Sequence, residues 1–148
     1  MCLVLCEGEI DSIQELRVDD KVVSLTGSLT HGTVREVASG DSNFYKDDTS
    51  HIQVQAFMGT DDQTVSSVLD SATGWGSNHR NRGLAYLALR FKWNQDIFSS
   101  VPKVQAKVRG KKVVSYNSSL VAQSESFTRN PAWCILDYLT NTRYGVGS

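Results

Sequence analysis

The sequence predicts a mainly β (α+β) domain, a β-barrel or β-sandwich with one or two short packed helices, including a C-terminal helix near 131–141. Three observations predict it. His51–Met58 alternates, with Ile52, Val54, Ala56 and Met58 set against His51, Gln53, Gln55 and Phe57, as a strand with one buried face does. Lys103–Arg109 alternates in the same way, Val104, Ala106 and Val108 against Lys103, Gln105, Lys107 and Arg109. Helical spacing is confined to two short windows, each with its own start signal.

In chain order, Leu3–Ile10 and Ile13–Val18 read as strands, and Asp19-Asp20 is a tight turn into Lys21–Leu25. Cys2 and Cys6, four residues apart, share a strand face and read as small buried hydrophobes. Thr26–Asp48, rich in Gly, Ser, Asn and Asp, is a long surface loop with one weak strand around Val34 and Val37. Thr60-Asp61-Asp62-Gln63 has the form of a capping box. Val65, Val68, Leu69 and Ala72 follow at helical spacing to a stop at Gly74, predicting a helix of about three turns. Gly74–Gly83 is a loop, and Leu84–Trp93, apolar on both faces, is a central strand. Gly110-Lys111 fits a II′ turn that returns the chain along Lys112–Tyr116. After the polar loop Asn117–Arg129, Asn130 is an N-cap with Pro131 at the first helical position. Ala132, Ile135, Leu136 and Leu139 form that helix's inward face, and it frays near Asn141.

The 148 residues carry 15 Lys or Arg and 16 Asp or Glu, a formal net charge of −1. The distribution is uneven: residues 1–70 sum to −9 and residues 71–148 to +8. No run approaches the roughly 20 apolar residues of a membrane span, and Met1–Cys6 lacks the basic flank of a signal peptide. Three cysteines without CxxC spacing argue against a disulfide scaffold and for folding in a reducing compartment. His31, His51 and His79 lie too far apart in sequence to signal a zinc site. No dinucleotide or P-loop fingerprint is present, and no spacing marks an acid pair or a nucleophile triad. Asp47-Asp48 reads as loop and Asp61-Asp62 as helix N-terminus, where acids suit the dipole. The reading is therefore a non-enzyme with no metal site and no cofactor.

Two groups remain as candidate interface residues. Lys103, Lys107, Arg109, Lys111 and Lys112 make one strand face and its turn basic. The residues between them are Val and Ala rather than aromatics, so protein contact or solvation fits better than nucleic acid. The loop with Trp75, His79, Arg80 and Arg82 sets an aromatic beside basic and amide groups, which suits an interface or a sugar.

Several segments also resemble a known family. Glu7-Gly8-Glu9-Ile10, Gly59-Thr60-Asp61-Asp62-Gln63, Gly83-Leu84-Ala85-Tyr86 with Arg90-Phe91, and Phe98 with Pro102 through Val113 fall in order along the chain. The strongest is Asn130-Pro131-Ala132-Trp133-Cys134-Ile135-Leu136-Asp137-Tyr138-Leu139-Thr140-Asn141-Thr142-Arg143-Tyr144-Gly145-Val146-Gly147. The set resembles the tail tip (central hub) proteins of long-tailed bacteriophages, the family that includes the lambda host-specificity protein J. That resemblance implies a single hub-type domain over 1–148, a fragment of a longer tail protein and a structural part of the virion. It implies self-association as a trimer, contact with neighbouring tail proteins, and a part in tail assembly, host attachment and DNA delivery. Host-surface contact is expected through other domains, with assembly in the bacterial cytoplasm. The rival reading is a carbohydrate-binding β-sandwich using the Trp75–Arg82 loop; a cell-wall hydrolase is a weaker third. The charge asymmetry suits head-to-tail pairing of subunits around a ring.

Overall fold

Alternation and turn chemistry account for most of the strands. The computed structural model describes residues 1–70, 74–142 and 145–147. Strands β1 (Cys2–Glu7), β2 (Ile10–Val18) and β3 (Lys21–Val22) come first. Asp19 and Asp20 sit at φ 50° and 63°, the two left-handed positions of a type I′ turn, and reverse the chain between β2 and β3. β4 (Val34–Glu36) is the short strand expected inside the long loop. β5 (Tyr45–Lys46) and β6 (Thr49–Ser50) form a hairpin within what reads in sequence as loop, turned by Asp47 and Asp48 at φ 51° each. β7 (Ile52–Met58), β8 (Leu84–Phe91) and β9 (Val104–Lys111) complete the strands, and α1 (Pro131–Thr140) is the one helix among the described residues.

The chain divides into two compact units, Met1–Arg109 and the residues from Gly110 onward. In the first, an antiparallel sheet in the order β1-β8-β7-β4 and a second sheet in the order β3-β2-β9 share one core cluster. Ile52, Val54, Ala56, Ala85, Leu87 and Leu89 meet Ile10, Ile13, Leu16 and Val18 there, with Val104 and Ala106 against its margin. The sheets keep open edges and no closed barrel forms among the described residues, so the mainly β class holds in an open, layered form.

β7 is buried on both faces rather than one. Phe57 stacks on its cross-strand partner Tyr86 at 4.5 Å and 6°, and with Val68, Leu69 and Ala88 builds a second cluster behind the sheet. Residues 60–70, where a helix is expected, supply that cover without forming one. Gln55, buried in β7, explains why. Its Oε1 accepts from the Ser66 hydroxyl (2.8 Å), the Ser67 hydroxyl (3.4 Å) and the Val68 N–H (3.4 Å), so side-chain bonds replace the helical ladder. Ala72, the last position of the expected helix, lies outside the described residues. Cys6 is exposed rather than buried, because β1 holds one extra residue between Val4 and Cys6 and the bulge turns the strand over.

In the second unit the expected II′ turn at Gly110-Lys111 is absent. β9 runs on through Gly110 to Lys111, and Gly110 lacks the positive φ such a turn requires. The pairing comes later, from Val113–Ser126 and Tyr116–Ala122 bridges that close a short hairpin. Asn130 Oδ1 accepts from the Ala132 N–H (3.0 Å) and starts α1 with Pro131, as the sequence predicts. Its expected inward face is not buried. Ile135, Tyr138 and Leu139 are each more than half exposed, and no α1 residue is buried. The chain then returns to the helix end: Val146 N–H donates to Tyr138 O (3.0 Å), and a Cβ on Gly145 would collide with that same oxygen.

Candidate functional site

The basic strand is partly neutralised by its own neighbour. Lys103 N–H donates to Asp19 Oδ1 (2.8 Å), and its ammonium lies 3.4 Å from Asp20. Arg109 reaches Asp11 of β2 at 3.8 Å. Lys111, in the second unit, sits 3.7 Å from Asp137, and Lys112 is half-buried. Exposed pairs of this kind contribute about 0–1 kcal/mol each; their effect here is to cancel field rather than to hold the fold. Lys107, between them, is exposed and makes no ion pair among the described residues. Part of the split between acidic and basic halves is thus closed within the molecule, and Lys107 is its clearest outward remainder.

Trp75 and His79 do come together, with ring centroids 5.2 Å apart and planes 28° from parallel. The indole also packs against the second core cluster. Both occupations leave little of it to stack on a pyranose, which weighs against the sugar-binding reading. Arg80 and Arg82 are exposed and, with Asn78 and Asn81, line a shallow depression of about 360 Å³.

Beneath this loop lies a junction that no single sequence segment reveals. Gly8, Gly59 and Gly83, at φ 85°, 89° and 73°, meet at one end of the β1-β8-β7-β4 sheet. Gly8 N–H donates to Gly83 O (2.7 Å) and Gly83 N–H to Thr60 O (3.2 Å). Gly59 has no room for a side chain: a Cβ would fall against the Gly8 carbonyl, 2.9 Å from its carbon and 3.1 Å from Ala85 N. Gln63, 1% exposed, binds the junction together. Its Oε1 accepts from Gly59 N–H (3.3 Å), and its Nε2 donates to Arg80 O (3.0 Å), Leu84 O (3.1 Å) and Asn81 O. The capping-box pattern therefore reaches back as its spacing suggests, but to Gly59 and to the 80–84 segment instead of a helix start. Three separate sequence motifs (Glu7–Ile10, Gly59–Gln63, Gly83–Tyr86) are one place in space. The sequence signal for it is a glycine at the end of each strand and one Gln among acids.

His31 Nδ1 accepts from Met58 N–H (3.1 Å) and its ring meets Phe57 edge-on. His51 Nδ1 lies 2.9 Å from Lys92 O. Both histidines are thus engaged in the fold, and no group of three potential metal ligands occurs among the described residues. Burial pushes the Tyr86 phenol well above the usual range, so it stays protonated at neutral pH. No helix of the described residues is long and apolar enough to cross a membrane.

No protein-family profile matches the chain. The baseplate hub protein pb3 of Escherichia phage T5 is 31% identical to it over an alignment 165 residues long. The aligned region takes in 97% of this chain but 17% of the phage T5 protein, so the chain spans about a sixth of that relative's length. Nearly end to end, then, this chain is similar to one stretch of a phage baseplate hub protein.

Proposed function

We propose that the chain is a structural, non-catalytic module of a phage tail tip or baseplate hub, located in the virion. The observation that carries this reading is the 31% identity to the phage T5 hub protein across 97% of the chain. The motifs of the tail-hub resemblance add to it, since three of them converge on the Gly8–Gly59–Gly83 junction and stiffen one end of a sheet. A rigid, open-edged β unit is what a scaffold needs to hold neighbours in register. The finer reading is of one hub-type domain that repeats as a trimer, touches neighbouring tail proteins and takes part in host attachment and DNA delivery. Likeness to the lambda host-specificity protein J type rests chiefly on residues 130–147.

Deleting the coding segment from the phage genome should give particles with filled heads and incomplete or uninfectious tails, rescued by the wild-type chain in trans. Lys107→Glu in the same complementation should lower the yield of assembled tails, and more so at low ionic strength, where an interfacial charge is least screened. Normal infectious tails without the segment would overturn the structural role. Full rescue by Lys107→Glu at every salt concentration would remove Lys107 from the interface.

A further inference from the structure

The loop above Gln63 turns two of its carbonyls inward and leaves four of its amides without an acceptor among the described residues. Ser77 O takes the Arg80 Nε–H (3.1 Å), and Gly76 O takes the His79 N–H (2.8 Å). The carbonyls of Arg80 and Asn81 turn inward to the buried Gln63 amide, and Asn81 O also receives the Leu84 N–H (3.0 Å). The backbone N–H groups of Asn78, Arg80, Asn81 and Arg82 donate to no acceptor among the described residues. These are the four residues that line the depression of about 360 Å³, which is at the small end of the roughly 300–1,000 Å³ of ligand sites. Its rim carries two guanidiniums, and Arg82 has no hydrogen bond or ion pair among the described residues. Asp62 is the acid that senses Arg82; the neighbouring Thr60 hydroxyl is the main cause holding its carboxyl below the usual range.

Such a place is rich in donors. The Arg80 and Asn81 carbonyls, which would repel an anion, are drawn inward by Gln63, while four amides and two guanidiniums remain for a ligand. Two planar guanidiniums match the oxygen geometry of phosphate better than a single carboxylate. We infer that the Asn78–Arg82 loop binds a phosphate-type tetrahedral oxyanion between Arg80 and Arg82, either as the free ion or as a phosphomonoester on a sugar. This goes beyond the hub role and does not rest on it.

The test is an amide-resolved NMR titration of the 148-residue chain with inorganic phosphate, against chloride at matched ionic strength. Saturable shifts should centre on the amides of Asn78, Arg80, Asn81 and Arg82. Arg80→Gln and Arg82→Gln should each weaken binding about tenfold, the usual loss for one charge-assisted contact, while Lys107→Gln leaves it unchanged. Unaltered β7 and β8 amide shifts in the Arg variants show that they remain folded. Glucose 6-phosphate binding as tightly as phosphate assigns the site to a phosphorylated glycan; exclusion of the ester assigns it to the free ion. Shifts that fail to saturate, that spread over β9, or that survive both Arg substitutions would overturn the inference, as would saturation by glucose alone.

Discussion

Gly59→Ala should destabilise the first unit by about 4 kcal/mol, a large share of the roughly 5–15 kcal/mol that holds a typical domain. Two causes add. At φ 89° an L side chain is strained by about 1–3 kcal/mol, and the new methyl would be driven into the Gly8 carbonyl and toward Ala85 N. Both obstacles are backbone and neither can rotate aside. Gly8→Ala separates the causes, because its φ of 85° carries the same strain while nothing lies within 4 Å of its Cβ. It should lose only the strain, about 1–3 kcal/mol. Amide hydrogen exchange in β7 and β8 under increasing denaturant measures both variants on this unit alone. Equal losses would show that the close approach at Gly59 adds nothing to the strain.

Gln63→Leu keeps the volume and removes every bond. Gly59 N–H and the Arg80 and Leu84 carbonyls lose their Gln63 partner, and each buried orphan costs about 1–3 kcal/mol. A loss of about 3–5 kcal/mol is expected, with the 78–82 loop protected least. Gln63→Glu is the sharper variant, since it keeps the acceptor and replaces the donor by a carboxylate facing three carbonyls. Burial and those carbonyls raise its folded pKa above the unfolded value of about 4.3. The sign follows from linkage: a raised folded pKa favours the fold below the unfolded pKa, and that support is lost as pH rises through the folded one. The variant should be near wild-type stability under acid conditions and weakest at neutral pH, read from unfolding midpoints across that range. A pH-independent loss would show that Gln63 does not hold the carbonyls.

Strands were legible where a regular pattern lasted. Ile52–Met58 and Leu84–Phe91 hold alternation or apolar runs for seven and eight residues and pair as neighbours in the sheet. Asp19-Asp20 and Asn130-Pro131 were legible because local chemistry decides them. The same Asp-Asp pair at 47–48 was hidden, because its flanking strands are two residues long and show no period. The expected helix after Thr60 fails for a non-local reason: Gln55, on a strand that precedes it, captures the Ser66 and Ser67 hydroxyls and the Val68 amide. The exposed face of α1 is a helix pattern read correctly and buried against nothing described. Of the candidate interface, Trp75 and His79 stack and Arg80 and Arg82 share a rim, whereas Lys103, Arg109 and Lys111 each meet an acid. Gln63 was visible as a motif residue but not as the organiser of that rim, since the carbonyls it holds there lie 17 to 21 residues away.

A cryo-EM map of the intact particle tests the central claim most directly. The account predicts the Met1–Arg109 fold at the tail tip, repeated as three copies around the tail axis, with Lys107 against a neighbouring chain. A tail tip with no density for the β1-β8-β7-β4 sheet, or the fold found only outside the virion, would contradict it.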